Sequence, residues 1–351
     1  MAQAVSRRNR VLQVSVAWLA ISLIGGSAVQ AAEESVSLVV SPQQVTLAGN
    51  LARLQLQVTG TDGQGRKFDL TRAASYTLSN PGIATVSKTG AVVPLASGAG
   101  KIRVQHGGQS VEVPIAITDF LPQPRGSFRR DVMPILSRAG CNQGACHGAQ
   151  FGKGGMKLSL LGFAPERDHA PLVREHQSRR VSLLKSDDSL ILRKALLEIG
   201  HGGGRRFRRG SFDHQVLTAW LETGAAAPET KEPEVVDVTL LPEERTYRVE
   251  EGQQLRVIAH YSDKTTRDVT LTARYDPLNE GIATVTPGGY ITAVGPGQAA
   301  VMVRYQGQAK VSQVMSPFKE SVDLAGFQPK NFVDEHIKAR FKRLGIEPSP
   351  L

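Results

Sequence analysis

Cysteine is almost absent from this 351-residue chain, which has two, Cys141 and Cys146. With the adjacent His147 they fall short of a closed structural zinc shell. Aromatic residues are sparse at 5%, whereas 35 Gly and 19 Pro are spread along the chain. That balance suits β-rich modules with many turns better than helical bundles. Beyond the N-terminus no segment is apolar enough to span a membrane. No nucleophile–base pair or acid/base constellation is visible either, so the chain reads as a non-enzyme. Its length predicts two to three domains.

What is present begins with an export signal over residues 1–31. Arg7, Arg8 and Arg10 form a basic start, and Val11 to Ile24 is an apolar run broken by Gln13, Ser15 and Ser22. The small residues of Ala28-Val29-Gln30-Ala31 place cleavage after about Ala31. The run is short for a membrane anchor, and Arg10 makes Arg7-Arg8 a poor twin-arginine signal. The mature chain is expected to be extracytoplasmic, in the periplasm or at the cell surface.

Residues 35–118 carry strand-length runs with turn punctuation and no helical periodicity. Leu54-Gln55-Leu56-Gln57-Val58 alternates with period two, and Thr61-Asp62-Gly63-Gln64-Gly65 is a turn cluster. The pattern returns over residues 235–316. Asn80-Pro81-Gly82-Ile83-Ala84-Thr85-Val86 recurs as Asn279-Glu280-Gly281-Ile282-Ala283-Thr284-Val285, each followed by a Gly-containing turn and a small-residue loop. Two copies mean paired domains rather than a solenoid, and the strand spacing predicts β-sandwiches. Both copies resemble the bacterial immunoglobulin-like group 2 family (BIG2). That resemblance implies an Ig-like sandwich with a spacer, adhesive or interaction role.

Residues 126–227 read differently. Val132, Ile135 and Leu136 fit one face of a short helix leading into Cys141. Phe212, Val216, Leu217, Trp220 and Leu221 fit one face of a later helix that Gly224 stops. Trp220 reads as core. Between the two helices lies Cys141-Asn142-Gln143-Gly144-Ala145-Cys146-His147, a C-x4-C-H arrangement two residues longer than the C-x-x-C-H of c-type haem attachment. Three readings stay open: covalent haem with Gly144 easing a bulge in the loop, a Cys141–Cys146 disulfide, and a metal or redox-thiol site. For haem, His147 is the proximal iron ligand. Candidates for the distal position are Met133, Met156, His169, His176, His201 and His214. His201, in a Gly-rich loop just ahead of the last helix, is placed best, and Met156 is the runner-up.

Asp131 to Gly148, together with the later His-Gly-Gly-Gly-Arg-Arg-Phe and Trp-Leu-Glu-Thr-Gly-Ala segments, resembles the cytochrome c-like domain of large secreted planctomycete proteins. The resemblance implies covalent haem c on Cys141 and Cys146, iron held by His147 and His201, and an electron-transfer role. Residues 327–351, with Phe332, Ile337, Phe341 and Leu344 on one helical face, resemble the opening of the helical domain of unknown function that follows in those proteins, as if truncated here.

Charge is concentrated in the centre. The chain carries a formal net charge of +10, and Arg125 to Gly210 holds 17 Lys/Arg against 7 Asp/Glu. Arg205 and Arg206 are expected to pair with haem carboxylates, and a basic rim suits an acidic redox partner protein. The alternative is a solvated face for an anionic cell-envelope or extracellular polymer. The patch lacks interleaved aromatics, which with the export signal argues against nucleic acid. The expectation is a multidomain chain: two all-β Ig-like sandwiches flanking a small mainly-α cytochrome c-like domain that binds haem and transfers electrons. The competing reading is a non-haem structural or adhesive envelope protein with the cysteines as a disulfide.

Overall fold

Alternating apolar and polar residues decide most of the structure. Along Gly297–Tyr305 every second residue points inward, so Val301, Val303 and Tyr305 are buried while their neighbours are not. A pleated strand presents successive side chains to opposite faces, so this pattern can cover a core on one side only. The computed structural model describes residues 36–349; the expected export signal lies outside the described residues.

The first β region comprises β1 (Ser37–Ser41), β2 (Val45–Ala48), β3 (Leu54–Gln55), β4 (Gln57–Thr61), β5 (Lys67–Asp69), β6 (Ser75–Leu78), β7 (Ala84–Val86), β8 (Ala91–Pro94), β9 (Gly98–His106) and β10 (Gln109–Thr118). The second comprises β11 (Val235–Leu241), β12 (Glu244–Thr246), β13 (Gly252–Gln254), β14 (Arg256–Tyr261), β15 (Thr266–Asp268), β16 (Arg274–Pro277), β17 (Ala283–Val285), β18 (Tyr290–Ala293), β19 (Gly297–Tyr305) and β20 (Gln308–Ser316). Sheet orders in the first are β1-β4-β5, β2-β10-β9-β6 and β3-β8-β7; in the second they are β11-β14-β15, β12-β20-β19-β16 and β13-β18-β17. The two regions match strand for strand, as the internal repeat requires.

The repeat extends to individual bonds. Tyr76 Oη donates to Thr71 O at 2.6 Å and Tyr275 Oη to Thr270 O at 2.8 Å. Val58 N donates to Thr71 Oγ1, and Val257 N to Thr270 Oγ1, both at 2.9 Å. A turn glycine recurs as well. Gly90 and Gly289 have φ of +77° and +78°, where an L side chain is strained, and each carbonyl accepts from the amide of the next strand segment, Leu56 or Leu255. Each region has its own apolar core, around Leu56, Ile102, Val104 and Ile115 in one and Leu255, Val257, Ile291 and Val301 in the other. Each such buried side chain stabilises by about 1.5–3 kcal/mol relative to exposure.

The segment between the regions departs from expectation. It contains a π-helical turn (Phe128–Val132), α1 (Met133–Arg138), α2 (Pro165–Val173), α3 (Leu190–Ala195) and α4 (Phe212–Glu222). The longest of these has 11 residues, and turns and irregular chain make up most of residues 126–227. The expected mainly-α cytochrome c-like domain is therefore corrected: the protein is mostly β, and short helices embedded in loops join two Ig-like regions. Positive-φ glycines at 140, 152, 154, 155, 162, 204 and 210 interrupt helical propagation throughout the segment. The two helices expected from periodicity do form. Ser211 caps α4 by accepting from His214 N, and Trp220 at its centre is fully buried. Phe128 and His169 pack around Trp220, with ring centroids 5.4 and 6.1 Å from it.

Ion pairs tie the segment to the second β region, and a cation–π contact ties it to the first. Arg267 meets Asp131 at 2.8 Å, and Arg129 meets Glu234 at 2.7 Å. The Arg53 guanidinium lies over the Phe212 ring at 4.3 Å. The β regions also touch one another: Asp69 Oδ2 accepts from Gln253 Nε2 at 3.0 Å and from Gln254 N at 3.1 Å. At the C-terminal end, α5 (Phe332–Leu344) starts at an Asn331 cap and ends at Gly345 with φ +64°. Its Leu344 is buried, while Phe332 and Ile337 on the expected apolar face are exposed.

Candidate ligand pocket

Helix α1 delivers the chain directly into the cysteine loop. Cys141 N donates to Leu136 O, closing the helix end, and His147 N returns to Cys141 O, both at 2.9 Å. Asn142 is fully buried beneath this loop and donates through Nδ2 to Ser137 Oγ at 2.8 Å. Gly144, expected to ease a bulge, has Leu160 Cδ1 at 4.0 Å from where a Cβ would stand, an ordinary contact, whereas a Cβ at Gly148 would collide with the Asn142 carbonyl. The close approach of backbone to backbone thus falls on Gly148, which sequence reasoning passed over.

The loop forms one side of a cavity of about 550 Å³. Leu136, Leu158, Leu172, Leu190 and Ile191 supply apolar wall, and Cys141, Cys146, His147, Met156 and His201 face the same space. The residues singled out by motif and position therefore converge, with exceptions. Arg206 lines the cavity, but Arg205 is exposed and does not. Met133 is buried in the helical core. His169 is buried beside Trp220, its Nε2 2.8 Å from Ala225 O. His214 lies on α4, away from the cavity lining. His176 does line the cavity, with Nε2 3.0 Å from Gly155 O.

Two further cavity imidazoles are fixed by backbone, both through Nδ1. His147 Nδ1 sits 3.0 Å from Lys153 O and 3.2 Å from Met156 O, and His201 Nδ1 sits 2.9 Å from Gly204 O. A carbonyl can only accept, so in each case Nδ1 carries the hydrogen. Burial holds His147 below the usual histidine range; the Met156 and Lys153 carbonyls oppose this, and His201 and Arg180 add to it. Both cysteines are free thiols in the structure. Burial pushes the Cys141 thiol up to about 12, outweighing the opposing pull of Arg206. At neutral pH Cys141 is a protonated thiol and a poor nucleophile.

Positive charge gathers on the cavity through Lys153, Arg179, Arg180, Lys194 and Arg206. The chain leading to two of these is strained: His176, Gln177 and Ser178 have φ of +50°, +59° and +57°. Three consecutive non-glycine residues in the left-handed region cost about 1–2 kcal/mol each. Such strain persists only where surrounding contacts over-determine it.

Among the described residues no group of three or more His, Cys, Asp or Glu is placed to hold a metal ion. The family comparison points to the first β region. The bacterial Ig-like domain family (Big-like) matches residues 72–119. That stretch carries a bacterial Ig-like domain. It covers β6 to β10 of the first sandwich. No curated protein matches the chain. Among solved structures, the chain is similar to domains 5–6 of the S-layer protein SbsC, at 13% identity over 81% of this chain and 99% of that one, with a TM-score of 0.31. It is also similar to the Yersinia pseudotuberculosis adhesin InvE, at 10% identity over 82% and 60% of the two chains, with a TM-score of 0.20. An EHEC O157:H7 intimin mutant matches at 20% identity over 29% of this chain and 57% of that one, with a TM-score of 0.20. TM-scores this low carry no argument about arrangement or role. The expectation of a cytochrome c that binds haem iron and transfers electrons is corrected on these findings. The family match is Ig-like, and no metal-holding cluster is present among the described residues.

Proposed function

We propose that this protein is a non-enzymatic structural or adhesive component of the cell envelope, in which two Ig-like sandwiches are held at a set spacing by the central segment. The observation that carries this reading is the interlocking of the three parts. Asp69 of the first sandwich bonds the second through Gln253 and Gln254, while Arg267 of the second reaches Asp131 of the centre. Such ties suit a stiff spacer better than independent beads on a linker. An extracytoplasmic location is supported by the basic, then apolar, then small-residue start of the sequence. The excess of Lys/Arg over Asp/Glu in the centre favours an anionic envelope polymer as partner.

Sedimentation of the mature chain with isolated envelope fragments tests this reading. Binding that weakens as salt is raised is expected, because exposed charges are screened beyond about 8–10 Å at physiological ionic strength. Purified protein should be colourless. Failure to co-sediment, or a visible absorption band on natively produced protein, would overturn the proposal.

A further inference from the structure

We propose that the cavity beside the cysteine loop binds a free single-chain amphiphile with one anionic head, of the fatty-acid carboxylate type, its chain against the leucine wall and its head at the basic rim. This goes beyond the envelope role and does not depend on it.

Three observations converge. First, at about 550 Å³ the cavity has the size of a small-molecule site, for which about 300–1,000 Å³ is usual. Its walls of Leu136, Leu158, Leu172 and Ile191 offer nothing polar to an aliphatic chain. Second, the rim is cationic and lacks carboxylates: five Lys/Arg line the cavity and no Asp or Glu does. Arg180 donates only to the Pro171 and Gly155 carbonyls, at 2.8 and 2.7 Å. Lys194 donates to Gly200 O at 3.0 Å, and Arg206 to Ala139 O at 3.2 Å. These bonds orient the cations without neutralising them. Elsewhere in the same segment the protein does pair its cations, as when Arg209 takes both Asp187 and Glu198 at 2.7 Å. Third, the left-handed run at 176–178 is held immediately ahead of Arg179 and Arg180, so backbone strain is spent at the rim. An apolar cavity edged by uncompensated guanidinium groups complements a molecule that joins a hydrocarbon chain to a carboxylate.

The test is calorimetric titration of the mature protein with dodecanoate below its micelle concentration, and with dodecanol below its solubility limit. Dodecanoate should bind at least about ten-fold more tightly, the scale of one charge-assisted hydrogen bond. Arg180→Gln with Arg206→Gln should remove that preference while leaving dodecanol binding in place. Ile191→Trp, which narrows the cavity at its apolar wall, should weaken uptake of both. The comparison of the two ligands on unaltered protein needs no variant and so stands even if a substitution disturbs folding. No uptake of dodecanoate, equal affinity for the alcohol, or undiminished uptake by folded Ile191→Trp protein would overturn the proposal. So would binding to phosphatidylglycerol vesicles without dodecanoate uptake.

Discussion

Gln57 and Arg256 stand at the same position of the two sandwiches, and each reaches across to the residue that precedes the other sandwich's proline. Gln57 Nε2 donates to Leu241 O at 2.9 Å, and Arg256 Nη1 donates to Ser41 Oγ at 3.3 Å. Reciprocity of this kind is the signature of a two-fold contact, here made within one chain by two copies of a module. The symmetry is not carried through. Asp69 uses its carboxylate to accept across the interface, while its counterpart Asp268 holds Arg256 at 2.8 Å within its own sandwich.

That difference predicts unequal costs. Asp268→Ala strands the nearly buried Arg256 and should destabilise by about 3–5 kcal/mol. Asp69→Ala removes an acceptor from Gln253, Gln254 and Thr71 and a carboxylate that favours the charge of Arg245, but it breaks no direct ion pair and should cost about 1.5–3 kcal/mol. Urea midpoints of the two variants compare them, and a larger loss for Asp69→Ala would contradict the assignment.

Acid should weaken the central segment through His214. Burial, and next the positive charge of Arg209, lower its folded pKa below the ordinary 6.5, against the opposing pull of Asp187. Its Nε2 is buried without a hydrogen-bond partner, 4.0 Å from Asp187 Oδ1. Below 6.5 the unfolded chain takes up the proton first, so this stability is complete above 6.5 and is lost as pH falls toward the depressed folded pKa. His214→Gln should flatten the dependence of melting temperature on pH over that interval.

Trp220 is the largest side chain in the central core, and its Nε1 donates to Ala226 O at 2.9 Å. Trp220→Ala should cost about 3–5 kcal/mol from lost burial and the cavity together. Trp220→Phe keeps most of the packing but orphans that carbonyl, so a loss of about 1–3 kcal/mol is expected. Guanidinium denaturation followed by tryptophan-independent circular dichroism measures both.

Thiol titration tests the cysteine loop. The structure holds Cys141 and Cys146 as free thiols, so denatured, unreduced protein should react with two equivalents of a thiol reagent. In the folded state Cys141 should react slowly, because burial keeps its thiol protonated. No reactive thiol after denaturation, with two appearing on reduction, would establish the disulfide instead.

Local signals in the chain were readable to different depths. Asn80 and Asn279 both accept from the amide two residues on, at Gly82 and Gly281, a turn written in adjacent residues and therefore visible as a repeat. The helix at Phe212–Glu222 was visible from its apolar spacing and from Gly224 beyond its end, whereas its Ser211 cap was not read from the sequence. Cys141, Cys146 and His147 of the motif line one cavity, as neighbours in sequence can. The motif's apparent meaning misled, because a spacing resembling haem attachment says nothing about the segment around it. That segment proved to be short helices in glycine-rich loops between Ig-like regions.

The sequence by itself determined the two β regions, their equivalence and the boundaries of the local turns, because period-two burial and turn chemistry act between near neighbours. Tertiary structure alone decided what surrounds the cysteine loop. Leu172, Arg180 and Ile191 reach the cavity from distant helices and loops. It also decided that Asp69 and Asp268, the same residue in the same place, have different partners. A carboxylate's role is set by which donors the fold brings within about 3 Å of it, and that distance is not written along the chain.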